Sequence, residues 1–442
     1  MPAVPRAVGM RRRSLLTGLG AGLATALAGC SADDPPGTAG SPGDAPTGTT
    51  PTDSTPTGPV RWTTPVDGAV ADPLSTGATL AYVDGTGPAY DRWLFVPTEA
   101  GTLHALDPAT GDHRWRADLG KPVRDVAVAA DAGVVLAHAG KVTLGDDHLV
   151  RVFDAGGATQ WTFPDSAGVN PWGPLELLGA DGERVLVASR DDQPASDGET
   201  IWSLDTADGA AAWTGEVGDP QSAAITDEAV FVASRGAVDA FTRPAGERLW
   251  RYAPDGMEYR FNTLRGSGRT AYFSTGTGPG SGSFQAVGPD GSHAWQLDRY
   301  TTSVTLANSL YLGGGPVTAV DPATGEVRWE TAGESFLAGG PVHDGRLYAG
   351  GDGVAAYDTA SDDRLWQWSA DADIVTAQAA TDTAVYAGTG GGDDAPPVVY
   401  ARKAADGAGR WTFEADAGLS DLALGEHVYV GDAAGTVYAL ER

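Results

Sequence analysis

Few residue types in this chain could carry out chemistry, and their spacing decides most of the cases. Cys30 is the one cysteine, so no internal disulfide can form and no second thiol remains for catalysis or zinc. The seven histidines, at 104, 113, 138, 148, 293, 343 and 427, show no H-x-x-x-H or comparable grouping, and no transition-metal centre is expected from them. Asp191-Asp192 with Asp197 and Glu199, and Asp393-Asp394, offer oxygen ligands but lack the ordered spacing of a calcium loop. The glycine-rich stretch from Thr275 to Gly282 lacks the Lys-Ser/Thr ending of a phosphate loop. The expectation is therefore no catalytic residue, no metal and no cofactor. What remains is covalent modification of Cys30 and recognition by polar and aromatic loop residues.

The surroundings of Cys30 are specific. Arg11-Arg12-Arg13-Ser14 precedes a mild apolar run from Leu15 to Gly29, shorter than the ~20 residues a spanning helix needs. Paired arginines before such a run resemble the twin-arginine export signal. Leu27-Ala28-Gly29-Cys30 resembles the lipobox of prokaryotic lipoproteins, which implies cleavage before Cys30 and diacylglyceryl modification of its thiol. Two acyl chains hold a protein stably at a membrane, where one is marginal. From Ser31 to Pro59 the chain is rich in Pro, Gly, Ser, Thr and Asp and reads as a tether. The expected organisation is a signal peptide over 1–29, lipidated Cys30 with its tether over 30–60, and one folded body over 61–442. Met10 would serve as an alternative start that leaves the signal intact. The expected location is the outer face of the cytoplasmic membrane.

Charge narrows the partners. The net charge is −29, and removal of the first 29 residues takes four arginines with it, leaving −33. Such a field repels phosphates, so nucleic acid is excluded as a partner. Only Lys121, Lys141 and Lys403 are lysines, and abundant Asp with scarce Lys reads as adaptation to very high salt, where screening over ~3 Å suppresses self-repulsion.

The elements that position all of this are announced by tryptophan. Leu106-Asp107-Pro108-Ala109-Thr110-Gly111-Asp112-His113-Arg114-Trp115 returns almost unchanged from Val320 to Trp329. Shorter versions end at Trp161, Trp213, Trp250, Trp295 and Trp411, Asp362 replaces the glycine before Trp366, and Trp62 stands near the start. Spacings of 34 to 53 residues are those of a propeller or solenoid. Between Ser303 and Trp329 the residues read as four short strands, Val304–Leu306, Leu310–Leu312, Val317–Val320 and Glu326–Glu330, separated by turn residues. This is a propeller blade, and no unit carries a helical apolar stripe. The tryptophans are read as structural wedges between blades.

Gly435 to Leu440 makes a third strand without a fourth, and Val60-Arg61-Trp62-Thr63 makes a fourth without the others, so pairing them would close the ring. The repeated phrase, the docking tryptophans and this closure resemble the PQQ-like β-propellers, which include the BamB-type assembly lipoproteins and the quinoprotein dehydrogenases. The resemblance spans residues 61–442 and implies an all-β closed propeller of four-stranded antiparallel blades. Counting units gives nine, where the family norm is eight. It also implies two functions: a non-catalytic scaffold for a protein, peptide or envelope component, or an oxidoreductase with PQQ and Ca²⁺ in its channel. Many of those enzymes stack the cofactor on a disulfide of adjacent cysteines, which a chain with one cysteine cannot form. The scaffold is the favoured expectation, acting as a monomer.

Length variation locates the working face. Strands two and three are joined by long segments at Gly140–His148, Arg190–Glu199, Thr275–Ser283 and Gly388–Pro397, and the longest inter-blade joins run from Pro164 to Pro174 and from Pro254 to Asn262. All emerge opposite the Asp-to-Gly turns, and insertions on one face of a repeat protein mark its binding surface. The candidate contacts are Asn170, Trp172, Tyr259, Arg260, Asn262, Arg299 and Tyr300. The acidic composition yields a first prediction: dialysis from molar to millimolar salt collapses the far-ultraviolet circular-dichroism spectrum. A spectrum unchanged at low salt would refute the high-salt reading.

Overall fold

The computed structural model describes residues 59–70, 80–83, 92–140, 148–168, 175–189, 199–253, 263–276, 282–331, 340–361, 363–370, 375–389 and 396–442. They form nine four-stranded antiparallel sheets. In chain order the blades are 81–118, 123–163, 175–217, 220–252, 263–297, 303–330, 342–369, 376–414 and a ninth built from both ends of the sequence. The unit expected between Ser303 and Trp329 is present as strands Ser303–Leu306, Leu310–Gly313, Thr318–Val320 and Val327–Glu330. First strands of most successive blades touch one another, so they ring the central channel, while fourth strands such as His113–Asp118 present exposed residues outward.

Closure follows the expected route. Val60–Pro65 is the fourth strand of blade 9 and pairs with Thr436–Leu440, with Trp62 opposite Ala439 and Thr64 opposite Val437. Blade 9 is thereby four-stranded like the other eight.

Each blade repeats one rung of side chains. In blade 1, Trp115 lies opposite Ala105, Ala105 opposite Phe95, and Phe95 opposite Ala81. In blade 9 the rung is Trp62, Ala439, Tyr429 and Ala423. The small residue on the third strand lets the tryptophan reach the aromatic ring on the second. Seven blades have such pairs, including Tyr311–Trp329 and Tyr386–Trp411, with centroids 5.8 to 6.1 Å apart. Contacts of this kind contribute about 0.5–1.5 kcal/mol each beyond the buried area. Leu136 and Leu186 take the aromatic position in blades 2 and 3.

The tryptophan also crosses to the next blade. Trp62 Nε1 donates to Pro108 O at 3.0 Å, Trp115 to Ala155 O, Trp161 to Thr206 O, Trp213 to Arg243 O, Trp295 to Pro322 O, Trp329 to Thr359 O and Trp366 to Ala404 O. Every acceptor lies in the turn that follows the third strand of the neighbouring blade. The turn is held by its first residue: Asp321 Oδ1 accepts from Ala323 N and Thr324 N, and Oδ2 from Arg328. It ends at a glycine under the incoming ring. Gly325 has φ +75°, and a Cβ there would lie 2.6 Å from Trp295. Two of the nine indoles, Trp250 and Trp411, find no acceptor. For Trp411 the reason is visible: the third and fourth strands of blade 9, Thr436–Leu440 and Val60–Pro65, are not joined by the turn that the other blades have.

Two glycines separate backbone strain from packing. Gly120 has φ +72° with nothing within 4 Å of a Cβ, so Gly120→Ala costs about 1 kcal/mol of strain alone. Gly325→Ala must also displace the Trp295 ring and costs on the order of 3 kcal/mol or more. Denaturant unfolding of the two variants checks the order; equal losses would remove the docking role of the turn.

Candidate functional site

Strand direction assigns the faces. Each inner strand begins, and each fourth strand ends, on the face that also carries the connections between second and third strands; the Asp-to-Gly turns lie on the other. The long connections expected to carry recognition leave from that loop face, at Ala139, Ser189, Gly276 and Gly388. Their central residues, together with Cys30, Asn170, Trp172, Tyr259, Arg260, Asn262 and Asp362, lie outside the described residues.

Arg299 and Tyr300 are described, and both sit in the join between blades 5 and 6 on the loop face. Arg299 is occupied internally. Its guanidinium donates to Glu330 Oε2 at 2.7 Å and to Thr318 Oγ1 and Pro316 O, so it ties the join to three parts of blade 6. Tyr300 is half-buried and packs where a Cβ on Gly282 would meet its ring, at the edge of the blade 5 connection.

Two histidine pairs form that spacing did not foreshadow. His138 Nε2 lies 3.2 Å from His148 Nδ1, and His138 Nδ1 lies 3.3 Å from Asp125 Oδ2. These three groups come from the second strand, the third-strand approach and the inner strand of blade 2. In blade 1, His104 Nδ1 lies 3.4 Å from His113 Nδ1, and His104 Nε2 lies 2.5 Å from Asp67 Oδ1. Burial lowers the His104 pKa below the ordinary imidazole value, so the ring is neutral at pH 7 and Nε2–H donates to Asp67. Burial pushes the Asp67 carboxyl up, but bonds from His104 and Thr102 outweigh it and leave it below the ordinary value. The sequence signal was available only in hindsight: 138 and 148 flank one long connection, and 104 and 113 flank one turn.

Clefts open on both faces among the described residues. The loop-face cleft, between blades 8 and 9, has a volume of about 130 Å³ and is lined by Thr376, Gln378, Leu419, Ser420, Asp421 and Leu422 among others. Gln378 bridges it, donating from Nε2 to Asp421 Oδ1 at 3.2 Å and accepting Leu422 N–H at 2.8 Å. Water reaches Asp421, yet the protein walls around it desolvate the carboxylate and raise its pKa. At that volume the cleft holds a few waters or one side chain, well below the roughly 300 Å³ where small-molecule sites begin. The second cleft, about 500 Å³, lies on the turn face among Asp131, Asp181, Glu183 and Asp227. Arg243 already neutralises part of it, 2.8 Å from Asp181 and 3.6 Å from Glu183.

A calcium-bound quinone would need gathered carboxylates. Among the described residues no three His, Cys, Asp or Glu side chains group so as to hold a metal ion, so these residues do not fit that cofactor and no step is drawn through it. Nor is any helix among them long and apolar enough to cross a membrane.

Nine four-stranded blades, most of them docked through a tryptophan on the next blade's turn, define a PQQ-like β-propeller repeat protein. Within that class the chain belongs to the family described as outer membrane protein assembly factor BamB, whose profile matches residues 54–174, 145–310 and 313–442. It is similar to the outer membrane protein assembly factor BamB of Shewanella oneidensis, 25% identical over 308 residues, 63% of this chain and 66% of that protein. The match thus spans just under two thirds of the relative's length. Among solved structures, the computationally designed Ika8 protein aligns with a TM-score of 0.52 at 14% identity, covering 85% of this chain and 100% of its own. The quinohemoprotein alcohol dehydrogenase of Comamonas testosteroni aligns with a TM-score of 0.50 at 14% identity, over 86% of this chain and 75% of its own. Both likenesses are of fold alone.

The Asp421 carboxyl gives a pH test. Because its folded pKa is raised, ionisation opposes folding above that pKa, and the penalty vanishes below the unfolded value. Asp421→Asn keeps the acceptor for Gln378 and removes the charge. It is expected to raise the Tm by a degree or two at pH 7 and to leave it unchanged near pH 3. A gain that persists at low pH would assign the effect to something other than desolvation.

Proposed function

We propose that this protein is an exported, lipid-anchored, non-catalytic scaffold whose loop face captures a protein, peptide or envelope component outside the cytoplasm. Membership of the BamB family carries this reading. The face itself supports it, because the connections that vary in length all leave from one side of the ring. Cys30 is the attachment point in this reading, and residues 31–58 are the reach between membrane and propeller. Tyr259, Arg260 and Tyr300, on the joins flanking blade 5, are the contacts this reading rests on most. The alternative, a PQQ- and Ca²⁺-dependent oxidoreductase, has only the fold likeness to the Comamonas enzyme behind it.

The test is affinity capture of the full-length protein from its own membranes at high salt, beside Cys30→Ala and the double variant Arg260→Ala/Tyr300→Ala. Expected are a reproducible partner on the wild type, at least tenfold less of it on the double variant, and release of Cys30→Ala into the medium. Undiminished capture by the double variant would sink the loop-face assignment, and retention of Cys30→Ala in the membrane fraction would sink the anchor. Stoichiometric quinone absorbance with dye-linked oxidation would replace the scaffold by the enzyme.

A further inference from the structure

One side chain on the channel wall breaks the pattern of the ring. On the tryptophan rung, the innermost-strand residue is Ala81, Ala127, Gly179, Ala224, Thr305, Ala379 and Ala423 in blades 1, 2, 3, 4, 6, 8 and 9. Small residues belong there because inner strands converge toward the axis. In blade 5 the same position, opposite Tyr272, is Arg265.

Its direction follows from its neighbours. This rung faces the next blade: Thr305 Oγ1 donates forward to Gly340 O, and a Cβ on Gly179 would meet Ile225 of blade 4. Gly266, one residue on, faces back toward Phe231 of blade 4, so Arg265 points forward into the seam between blades 5 and 6. There its guanidinium makes a single hydrogen bond, from Nη1 to Leu264 O at 2.9 Å, and no carboxylate among the described residues pairs with it. Desolvation pulls its pKa below the ordinary arginine value.

A half-buried cation with no counter-charge is destabilising in any protein. It is conspicuous in one with 58 acidic residues to 29 basic ones, where Arg243 has two carboxylates and Arg299 has its own. In the loop-face join between blades 5 and 6, the hydroxyls of Thr301 and Thr302 are buried without a hydrogen-bond partner among the described residues.

We propose that the channel wall between blades 5 and 6 is an oxyanion-binding site, in which Arg265 takes a carboxylate or phosphate group through the planar fork of its guanidinium. The site lies inside the ring and stands apart from capture at the loop face. The other blades supply the control, because Arg265→Ala places in blade 5 the residue that five of them carry on the same rung.

The experiment is calorimetric titration of the full-length protein in detergent, at the salt that holds its fold, with succinate and separately with inorganic phosphate. Expected are one equivalent bound per wild-type chain, at least tenfold weaker binding to Arg265→Ala, partial recovery in Arg265→Lys, and a ligand-free Tm of Arg265→Ala close to wild type. Binding of succinate alone identifies a carboxylate ligand and of phosphate alone a phosphoryl ligand; either supports the site. Equal binding to wild type and Arg265→Ala, no binding of either anion to the wild type, or a lowered ligand-free Tm with unchanged binding overturns it. Should Arg265→Ala fail to fold, Arg265→Gln carries the same readout.

Discussion

The ring depends on one recurring contact, an indole laid over the turn glycine of the next blade, in most blades with its N–H on a turn carbonyl. The contact couples three requirements in a few residues. An aspartate or its equivalent must fold the turn, a residue without Cβ must end it, and a small residue on the third strand must let the tryptophan lean on the aromatic ring beneath. Blade 9 shows how closely they are linked: Trp62 and Tyr429 both donate to Pro108 O, at 3.0 and 3.1 Å. Thr359 O accepts from Trp329 Nε1, and the Tyr311 hydroxyl lies beside it while donating to Asn308 Oδ1 at 2.7 Å. Two donors on Pro108 O fix the angle between neighbouring blades as well as their distance.

Because that contact is local in sequence, the fold was legible. Leu106 to Trp115 contains the turn, the glycine and the wedge in ten consecutive residues, so repetition of the phrase counts the blades directly. The nine units counted are the nine sheets observed, and the pairing of Val60–Pro65 with Thr436–Leu440 was readable from two incomplete units. The site was less legible, for a physical reason. Its groups meet across strands and joins whose register no local phrase encodes. His138 and Asp125 face each other only through the pairing of inner and second strands, where a bulge follows Val123. Arg299 looked like a free loop cation, yet Glu330, thirty-one residues away, is within 2.7 Å of it. Arg265 became visible only after the rungs of all blades had been aligned, since alone it is an arginine in a short strand.

The charge distribution sharpens the division of labour between faces. The turn face carries the capping aspartates, among them Asp107, Asp154, Asp205, Asp321 and Asp358, which work by accepting backbone N–H groups. Part of the large negative charge is therefore structural. An anionic surface meeting that face is repelled at moderate salt, whereas the loop face owes less of its character to the turns. Val60 begins its strand on the turn face, opposite the long connections.

The closing strand has a consequence in time. Blades 1 to 8 are each contiguous and can form as their residues appear, but blade 9 cannot exist until the first strand meets the last. Joining segments so far apart in the sequence carries a chain-entropy cost of about 5 kcal/mol, against roughly 1–2 kcal/mol for the short loop of a hairpin. Ring closure is thus the longest-range pairing in the chain, and without it Trp62 has no strand to stand on and the turn at Gly111 no lid. A ring joined at one seam is only as durable as the pairing of its two distant strands.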